Sequence, residues 1–563
     1  MRVSDVSLGL AFLCHVAQAN QIPVQLASSS IDATSAPTSQ WTDLTARPHD
    51  NATSQLIFDN VNSISQHWTH TRYRNGHSII PGTVPVGTLL YHGRDSEELP
   101  TFPEWASTDP EHSFPFCGDR ESNGTITGCW HLTLVATRSL KVLYFDGSSA
   151  SNIKDGGTLD IQDLLVWGEV DPTRWLDERA RINALCAWGK EFGLDGFFRM
   201  EMDFEIMLCD FSQGVELIST DYLASWWARH VTPPLWRPTE RSAVRSSLLS
   251  SNETLAAKVL IFEAVRAGSW HNSYPGESRV VVDLTGFISL YDTTLAPSLV
   301  PLRQGLERWD HRTAGISATD LTGLRIRLSE VLSRGPDAVG SGVDWRTLYR
   351  VVLERYAERL ELTEYLLNTT ASHNVNDRAS QIQTQLRVML TPYILYTSRP
   401  TPHSISVSVD DSWALSVWQG CATRHTAHIH ASTTLRSRLT ISERLLLRAL
   451  DETNREICRV VVRMWVAGVH AGLDSLIPLE GNKPAADPLL IVQGWRSEAS
   501  ALMQWLDWGV WVKCRPACGV EEMCYLPTWP FFWDMILDPE GKDERWKRPQ
   551  PRCVRQFEPY SKL

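Results

Sequence analysis

The sequence predicts an α+β protein, with mixed sheets in the N-terminal half and a mainly helical C-terminal half. Between residues 80 and 220, short apolar runs are patterned as strands are, at Thr88 to Tyr91, Trp130 to Ala136, Leu140 to Phe145 and Phe197 to Cys209. Beyond residue 345 the apolar spacing becomes that of long amphipathic helices. A chain of 563 residues that is 43% hydrophobic and 21% charged also carries enough apolar material for large cores, which excludes disorder over most of its length.

Taken in order, residues 1–19 combine Arg2, the apolar run Leu8 to Ala17 and the small-x-small triplet Ala17-Gln18-Ala19, the pattern of a cleaved secretory signal. Residues 20–55 are rich in Ser, Thr, Ala and Gln and read as a linker. An α+β domain is expected over 56–300, including a further strand-like run at Arg279 to Tyr291 and a helix at Glu178 to Phe192 with Ile182, Leu185 and Trp188 on one side. Residues 301–563 are expected to be helical: Trp345 to Leu367 places Leu348, Val352, Tyr356 and Leu360 on one stripe. Similar patterns cover Asp377 to Leu395, Ile441 to Ala471 and Ser497 to Val512, before a Trp-, Cys- and Pro-dense cap at Trp505 to Trp546.

Export is expected from the signal, from sequons at Asn51, Asn123, Asn252 and Asn368, and from the even set of cysteines that remains once Cys14 is removed. Cys117 is expected to pair with Cys129, with further bridges among Cys514, Cys518, Cys524 and Cys553. A zinc site on Cys514, Cys518 and Cys524 is the rival, but it lacks the usual two-residue spacer. No run reaches the roughly 18 to 20 apolar residues of a membrane span, so no stable membrane insertion is expected. A net charge of −12 argues against nucleic acid as the main partner.

The segment richest in chemistry is Leu194 to Asp210. Asp195-Gly196 signals a turn, and the alternation after it places Arg199, Glu201, Asp203 and Glu205 on one strand face, with neighbouring carboxylates about 6.6 to 6.8 Å apart. Such carboxylates raise one another's proton affinity, as acids at functional sites do; a solvated strand face of mixed charge is the plainer reading. A second segment, Gly87 to Arg94, ends a short strand at His92-Gly93, where glycine admits a close ligand approach. In a third, Pro103 to Cys117, residues Ser107, Thr108 and Asp109 read as helix caps.

In order and content, Leu90-Tyr91-His92-Gly93, Trp105-Ala106-Ser107-Thr108, the turn Gly193-Leu194-Asp195-Gly196 and Glu205-Ile206-Met207-Leu208-Cys209-Asp210 resemble the ADP-ribosyltransferase superfamily, over about residues 80–220. The resemblance implies NAD as substrate and a protein side chain or water as acceptor. It implies that His92 contacts a ribose hydroxyl, that the Gly93 backbone holds the nicotinamide amide, and that Trp105 stacks on the ring with Phe116 as second wall. It places Ser107 and Thr108 in the cofactor-binding strand, Glu205 at the ribose 2′-hydroxyl and Asp203 beside the acceptor. Leu143 to Gly147 and Arg199-Met200-Glu201 also resemble a group of exported fungal proteins without known function.

Two other classes stay open. A secreted glycoside hydrolase would use paired carboxylates such as Glu201 and Glu205, although the spacing differs from the chitinase-type strand and no eight-fold strand–helix alternation is visible. A non-catalytic protein would bind a glycan or protein through exposed members of its 23 tryptophans. His428 and His430 could share a strand face, but no third metal ligand accompanies them. Dinucleotide, phosphate-loop, nucleophile-elbow and zinc-protease motifs are missing from the sequence.

Overall fold

Alternating apolar residues between glycine and proline turns produce, in the computed structural model, the strands β1 (Ser78–Val84), β2 (Leu89–Arg94), β3 (Glu104–Ser107), β4 (Glu121–Ser122), β5 (Thr125–Ile126), β6 (Cys129–Ala136), β7 (Leu140–Phe145), β8 (Gly196–Met200), β9 (Phe204–Leu208), β10 (Val215–Leu223), β11 (Val281–Val282) and β12 (Ile288–Ser289). The structure describes residues 43–557 apart from 117–120, 123–124, 127–128, 155, 224–261, 273–274, 335–339, 370–373, 399–410, 478–486 and 528–547. The expected signal, the sequons at Asn123 and Asn252, and Cys117 of the expected Cys117–Cys129 bridge lie outside the described residues.

Of these strands, all but β4 and β5 join one sheet in the order β10-β6-β2-β3-β9-β8-β7-β1-β11, with β12 also on β1, while two later strands, Glu522–Tyr525 and Arg552–Arg555, pair with each other. Only the β7–β8 pair is parallel among the described ladders. Helices α1 (Ser54–Ser63), α2 (His67–Thr71) and α3 (Pro110–Ser113) come earlier in the chain, which crosses between those two strands through α4 (Asp160–Val166) and α5 (Glu178–Gly189).

Two expectations for the sheet are corrected. The run Phe197 to Cys209 is a hairpin: the chain bends at Glu201 to Asp203 and returns, pairing Arg199 with Glu205 and Met200 with Phe204. The run Arg279 to Tyr291 holds only β11 and β12, because Asp283 accepts a hydrogen bond from the Thr285 amide and a tight turn at Leu284–Gly286 interrupts it. At the start of β8, a Cβ on Gly196 would lie 2.5 Å from the Met207 carbonyl, so the turn signal Asp195-Gly196 also marks a close strand approach.

Both faces of the sheet are covered. On one, Ile79, Leu143, Phe145, Phe197 and Met207 pack against Ile161, Leu164 and Leu165 of α4, Ile182 and Leu185 of α5, and Leu321, Leu324 and Leu328 of helix Ala318–Leu332. On the other, Ile80, Leu90, Ala106, Phe198 and Ile206 belong to a core that continues through α1 into the C-terminal helices. Those helices span Trp345–Asn368, Val375–Leu390, Ile441–His470 and Pro488–Leu506. The last begins earlier than its periodicity predicts, since Asp487 caps it, and ends at Asp507, whose φ of 45° leaves the helical region.

Trp345, Trp418, Trp465, Trp495 and Trp508 are fully buried in this core, whereas Trp270 is exposed. Most of these tryptophans therefore serve packing rather than a glycan platform. Residues expected to be linker also contribute: Leu44 is buried, and its carbonyl accepts from the Arg459 guanidinium at 2.9 Å. His428 and His430 lie on a short helix, Ala427–Ala431, not a strand, and His430 pairs with Asp451. Bridges join Cys186 to Cys209, Cys421 to Cys458, Cys514 to Cys524 and Cys518 to Cys553. The last two use up the proposed zinc ligands and tie the cap together. Among the described residues, no helix is long and apolar enough to cross a membrane.

Candidate active site

Strand register assembles the site. Tyr91 on β2 pairs with Ser107 on β3, Ser107 with Glu205 on β9, and Glu205 with Arg199 on β8, so four polar side chains stand in one row across four strands. Beside this row is a cleft of about 10 Å³, room for a single water, lined by Gly93, Trp105, Ser107, His112, Phe116 and Glu205 among others. Phe116 stands at its exposed side, and the half-exposed Arg179 lies 4.8 Å from the Trp105 ring centroid.

The row is buried, so its charges need partners. Arg199 donates from Nε (2.9 Å) and Nη2 (2.5 Å) to Glu205 Oε1, from Nη2 to Glu178 Oε2 (2.8 Å) and from Nη1 to Gln162 Oε1 (3.0 Å). Arg181 continues the network, bonding Glu178 and, at 2.8 Å, Asp163. Burial opposes ionisation of Glu178, but the Arg199 and Arg181 charges overcome it and hold the carboxyl below its ordinary range. Glu205, with Arg199 as its cationic partner, stays somewhat raised by burial. Glu201 is raised too, by burial first and by the Glu205 charge second. His112 is fully buried and neither ring nitrogen makes a hydrogen bond of normal geometry; burial pushes its proton affinity down to about 4, against the pull of Asp109 and the Phe204 carbonyl. One donor atom each from His112, Glu201 and Glu205 lie within 4.8 Å of one another.

A second cluster occupies the other side of the bend. Asp109, Asp203 and His271 also place donor atoms within 4.8 Å of one another. Here Arg279 fills the middle: it donates to both Asp109 oxygens at 2.9 Å, to Glu277 Oε2 at 2.7 Å and to His271 Nε2 at 2.6 Å. Burial and the Asp109 charge push the proton affinity of Asp203 well up, while the neighbouring His271 and Arg279 outweigh burial at Asp109 and lower its own. Gly268 packs against this bend so closely that a Cβ would collide with the Met202 carbonyl.

The residues singled out in the sequence therefore divide. Gly93, Trp105, Ser107, Phe116 and Glu205 meet at the cleft. His92 does not: it alternates with Gly93 and lies with Leu90 on the opposite face, its Nδ1 donating to the Trp105 carbonyl at 2.6 Å and its ring against Phe211. Asp203 belongs to the Arg279 cluster, and Thr108 Oγ1 bonds the Phe204 carbonyl at 3.3 Å. Asp109 occupies the N-cap position of α3 without capping it, because its carboxylate is engaged by Arg279; Ser107 is strand and donates to the Asp109 carbonyl. The alternation places Glu201 and Asp203 on the face of Arg199 and Glu205; instead both sit in the bend. His112, Glu178, His271 and Arg279 were not singled out. His112 lies in the Pro103 to Cys117 segment, while Glu178 and Arg279 open a predicted helix and strand whose local pattern says nothing of their ion pairs.

The family model described as the YPL277C N-terminal domain matches residues 38–131 and 127–228, which include β1 to β10 and the cleft. The chain is similar to uncharacterized protein YOR389W of Saccharomyces cerevisiae, 24% identical over 558 residues covering 85% of this chain and 82% of the relative. It is also similar to uncharacterized protein YPL277C of the same yeast, 26% identical over 418 residues covering 62% of this chain and 82% of the relative. No solved structure matches it.

Proposed function

We propose that the cleft cleaves the glycosidic bond between nicotinamide and ribose in NAD and passes the ADP-ribosyl group to water or to a protein side chain. The bond breaks with its electron pair going to nicotinamide, which leaves neutral while positive charge develops on the ribose. The acceptor then bonds to the anomeric carbon and releases its proton to solvent. The observation that carries this reading is the row of Tyr91, Ser107 and Glu205 beneath Trp105 and Phe116. Arg199 occupies Oε1 of Glu205, which leaves Oε2 for the ribose 2′-hydroxyl and a carboxylate close to the developing charge.

Arg179, stacked on Trp105 at the rim, is the cation suited to the NAD diphosphate. His92 is a positioning residue in this reading, fixing the Trp105 backbone from behind the sheet, and Asp203 and Thr108 act through the bend. A nicotinamide ring needs more than the present space of about 10 Å³, so the Phe116 side must move outward on binding. The test is calorimetric titration with NAD alongside nicotinamide release, for wild type and Glu205→Gln. Binding by both, with release reduced about 10² to 10³-fold in the variant, is expected. Absence of NAD binding by the wild type at millimolar concentration refutes the reading.

One observation favours a second reading. Oxygens of Glu201 and Glu205 lie within 4.8 Å of each other, and Arg199 bonds Glu205 but not Glu201. That asymmetry suits an acid and a charge-bearing partner in glycoside cleavage. Hydrolysis of an oligosaccharide panel, without NAD turnover, would select it.

A further inference from the structure

We propose that His112, Glu201 and Glu205 bind one first-row divalent cation, Mn²⁺ or Zn²⁺, at the inner end of the cleft. The three ligands come from α3, the hairpin bend and β9, and their donor atoms already lie within 4.8 Å of one another. His112 is the observation that points to a ligand. It is fully buried, it lines the cleft, and neither of its ring nitrogens finds a hydrogen-bond partner of normal geometry. The Phe204 carbonyl lies near the ring and can serve one nitrogen, which leaves the other for a metal ion to satisfy directly.

Charge supports the same conclusion. The buried network joins the carboxyl groups of Asp163, Glu178 and Glu205 to the guanidinium groups of Arg181 and Arg199, and Glu201 adds a fourth carboxyl beside it. Arg199 directs its bonds to Glu205 Oε1, Glu178 and Gln162, and none to Glu201. A dication in place of the Glu201 proton would sit where no guanidinium group reaches. In the neighbouring Asp109, Asp203 and His271 cluster, Arg279 already stands where a cation would, so that cluster carries no such site.

One imidazole with two carboxylates suits Mn²⁺ or Zn²⁺, whereas Ca²⁺ and Mg²⁺ prefer all-oxygen shells. Two of the three protein ligands, His112 and Glu205, line the cleft, which leaves a further position open to a small ligand, the arrangement of reactive rather than closed structural sites. The proposal goes beyond the NAD reading and shares Glu205 with it: a bound cation withdraws that carboxylate from the ribose hydroxyl, so cation and NAD turnover should oppose each other.

The experiment is calorimetric titration of the full, EDTA-stripped chain with MnCl₂ and ZnCl₂, against CaCl₂ and MgCl₂, with the spin-resonance signal of free Mn²⁺ as an independent readout. Uptake of one equivalent, roughly tenfold or more tighter than Ca²⁺, is expected. Glu201→Gln, near-isosteric and checked for native near-ultraviolet dichroism, should weaken uptake about 10 to 100-fold, and His112→Gln likewise. No saturable uptake, uptake unchanged in both variants, or uptake abolished instead by Asp203→Asn would overturn the site. NAD titration in EDTA separates the two claims. Turnover in EDTA without metal uptake sinks only the cation site, and metal uptake without NAD binding sinks only the NAD reading.

Discussion

Two buried triads flank one hairpin bend, and they differ in a single respect. Around Asp203, the acids Asp109 and Glu277 and the imidazole of His271 converge on Arg279, and every charge has a partner. Around Glu201, Arg199 reaches Glu205 but not Glu201, and neither ring nitrogen of His112 makes a hydrogen bond of normal geometry. The first is an arrangement that holds a fold together. The second keeps unpaired polar groups beside a cleft, which folding alone does not require and ligand chemistry uses.

Three perturbations sharpen or break this contrast. The largest effect is expected from Arg279→Met, which strands the Asp109 and Glu277 carboxylates in a buried setting. Loss of about 3 to 5 kcal/mol in urea unfolding is expected, because removing one partner of a buried ion pair leaves the other uncompensated. A change below about 1 kcal/mol would mean that the Asp203 side is not the structural one.

Acid comes next. Burial lowers the histidine proton affinities to about 3 at His67 and His70 and about 4 at His92 and His112, from an ordinary value near 6.5. The unfolded chain therefore takes up protons that the folded chain refuses, and stability present above pH 6.5 is lost as pH falls toward 4. Each such histidine contributes up to about 1.4 kcal/mol per pH unit in that window. In the helical half, burial lowers His425 as well, but Asp451 raises His430 and works in the opposite direction. Hydrogen exchange at pH 5 should accordingly show the sheet opening before helices Trp345–Asn368 and Ile441–His470; uniform opening would contradict the division.

The smallest effect is expected at Glu201. Its raised proton affinity means that the folded chain keeps a proton that the unfolded chain sheds above about pH 4.5, so stability falls as pH rises from there toward the folded value. In EDTA, Glu201→Gln should remove that dependence and stabilise the protein at pH 8 by about 1 to 3 kcal/mol. Equal stability of wild type and variant at pH 5 and at pH 8 would show that the carboxyl is compensated after all.

Much of the fold was legible because it is local. The periodicity of Leu140 to Phe145 and of Ile441 to Ala471 located β7 and a long helix to within a residue, and proximity along the chain foretold bridges within the last four cysteines. The hairpin was missed for a definite reason. In an antiparallel pair the numbers of opposed residues have a constant sum, and for Arg199 with Glu205 and Met200 with Phe204 that sum is even. Residues of like parity then face the same side whether the chain runs straight or doubles back, so alternation cannot reveal the bend. The shared face of Arg199 and Glu205 was readable; the reversal between them was not.

The sequence by itself determined which residue types were available: acids around Glu205, aromatics at Trp105 and Phe116, glycines at the turns, and apolar stripes for a sheet and helices. Tertiary structure alone decided which acids are neutralised. Arg279 reaches Asp109 and Arg199 reaches Glu178 only after distant segments pack together, and His92 is turned from the cleft by strand alternation against a core built largely from the far half of the chain. Burial sets the cost of a charge, and burial is a property of the packed chain rather than of any segment of it.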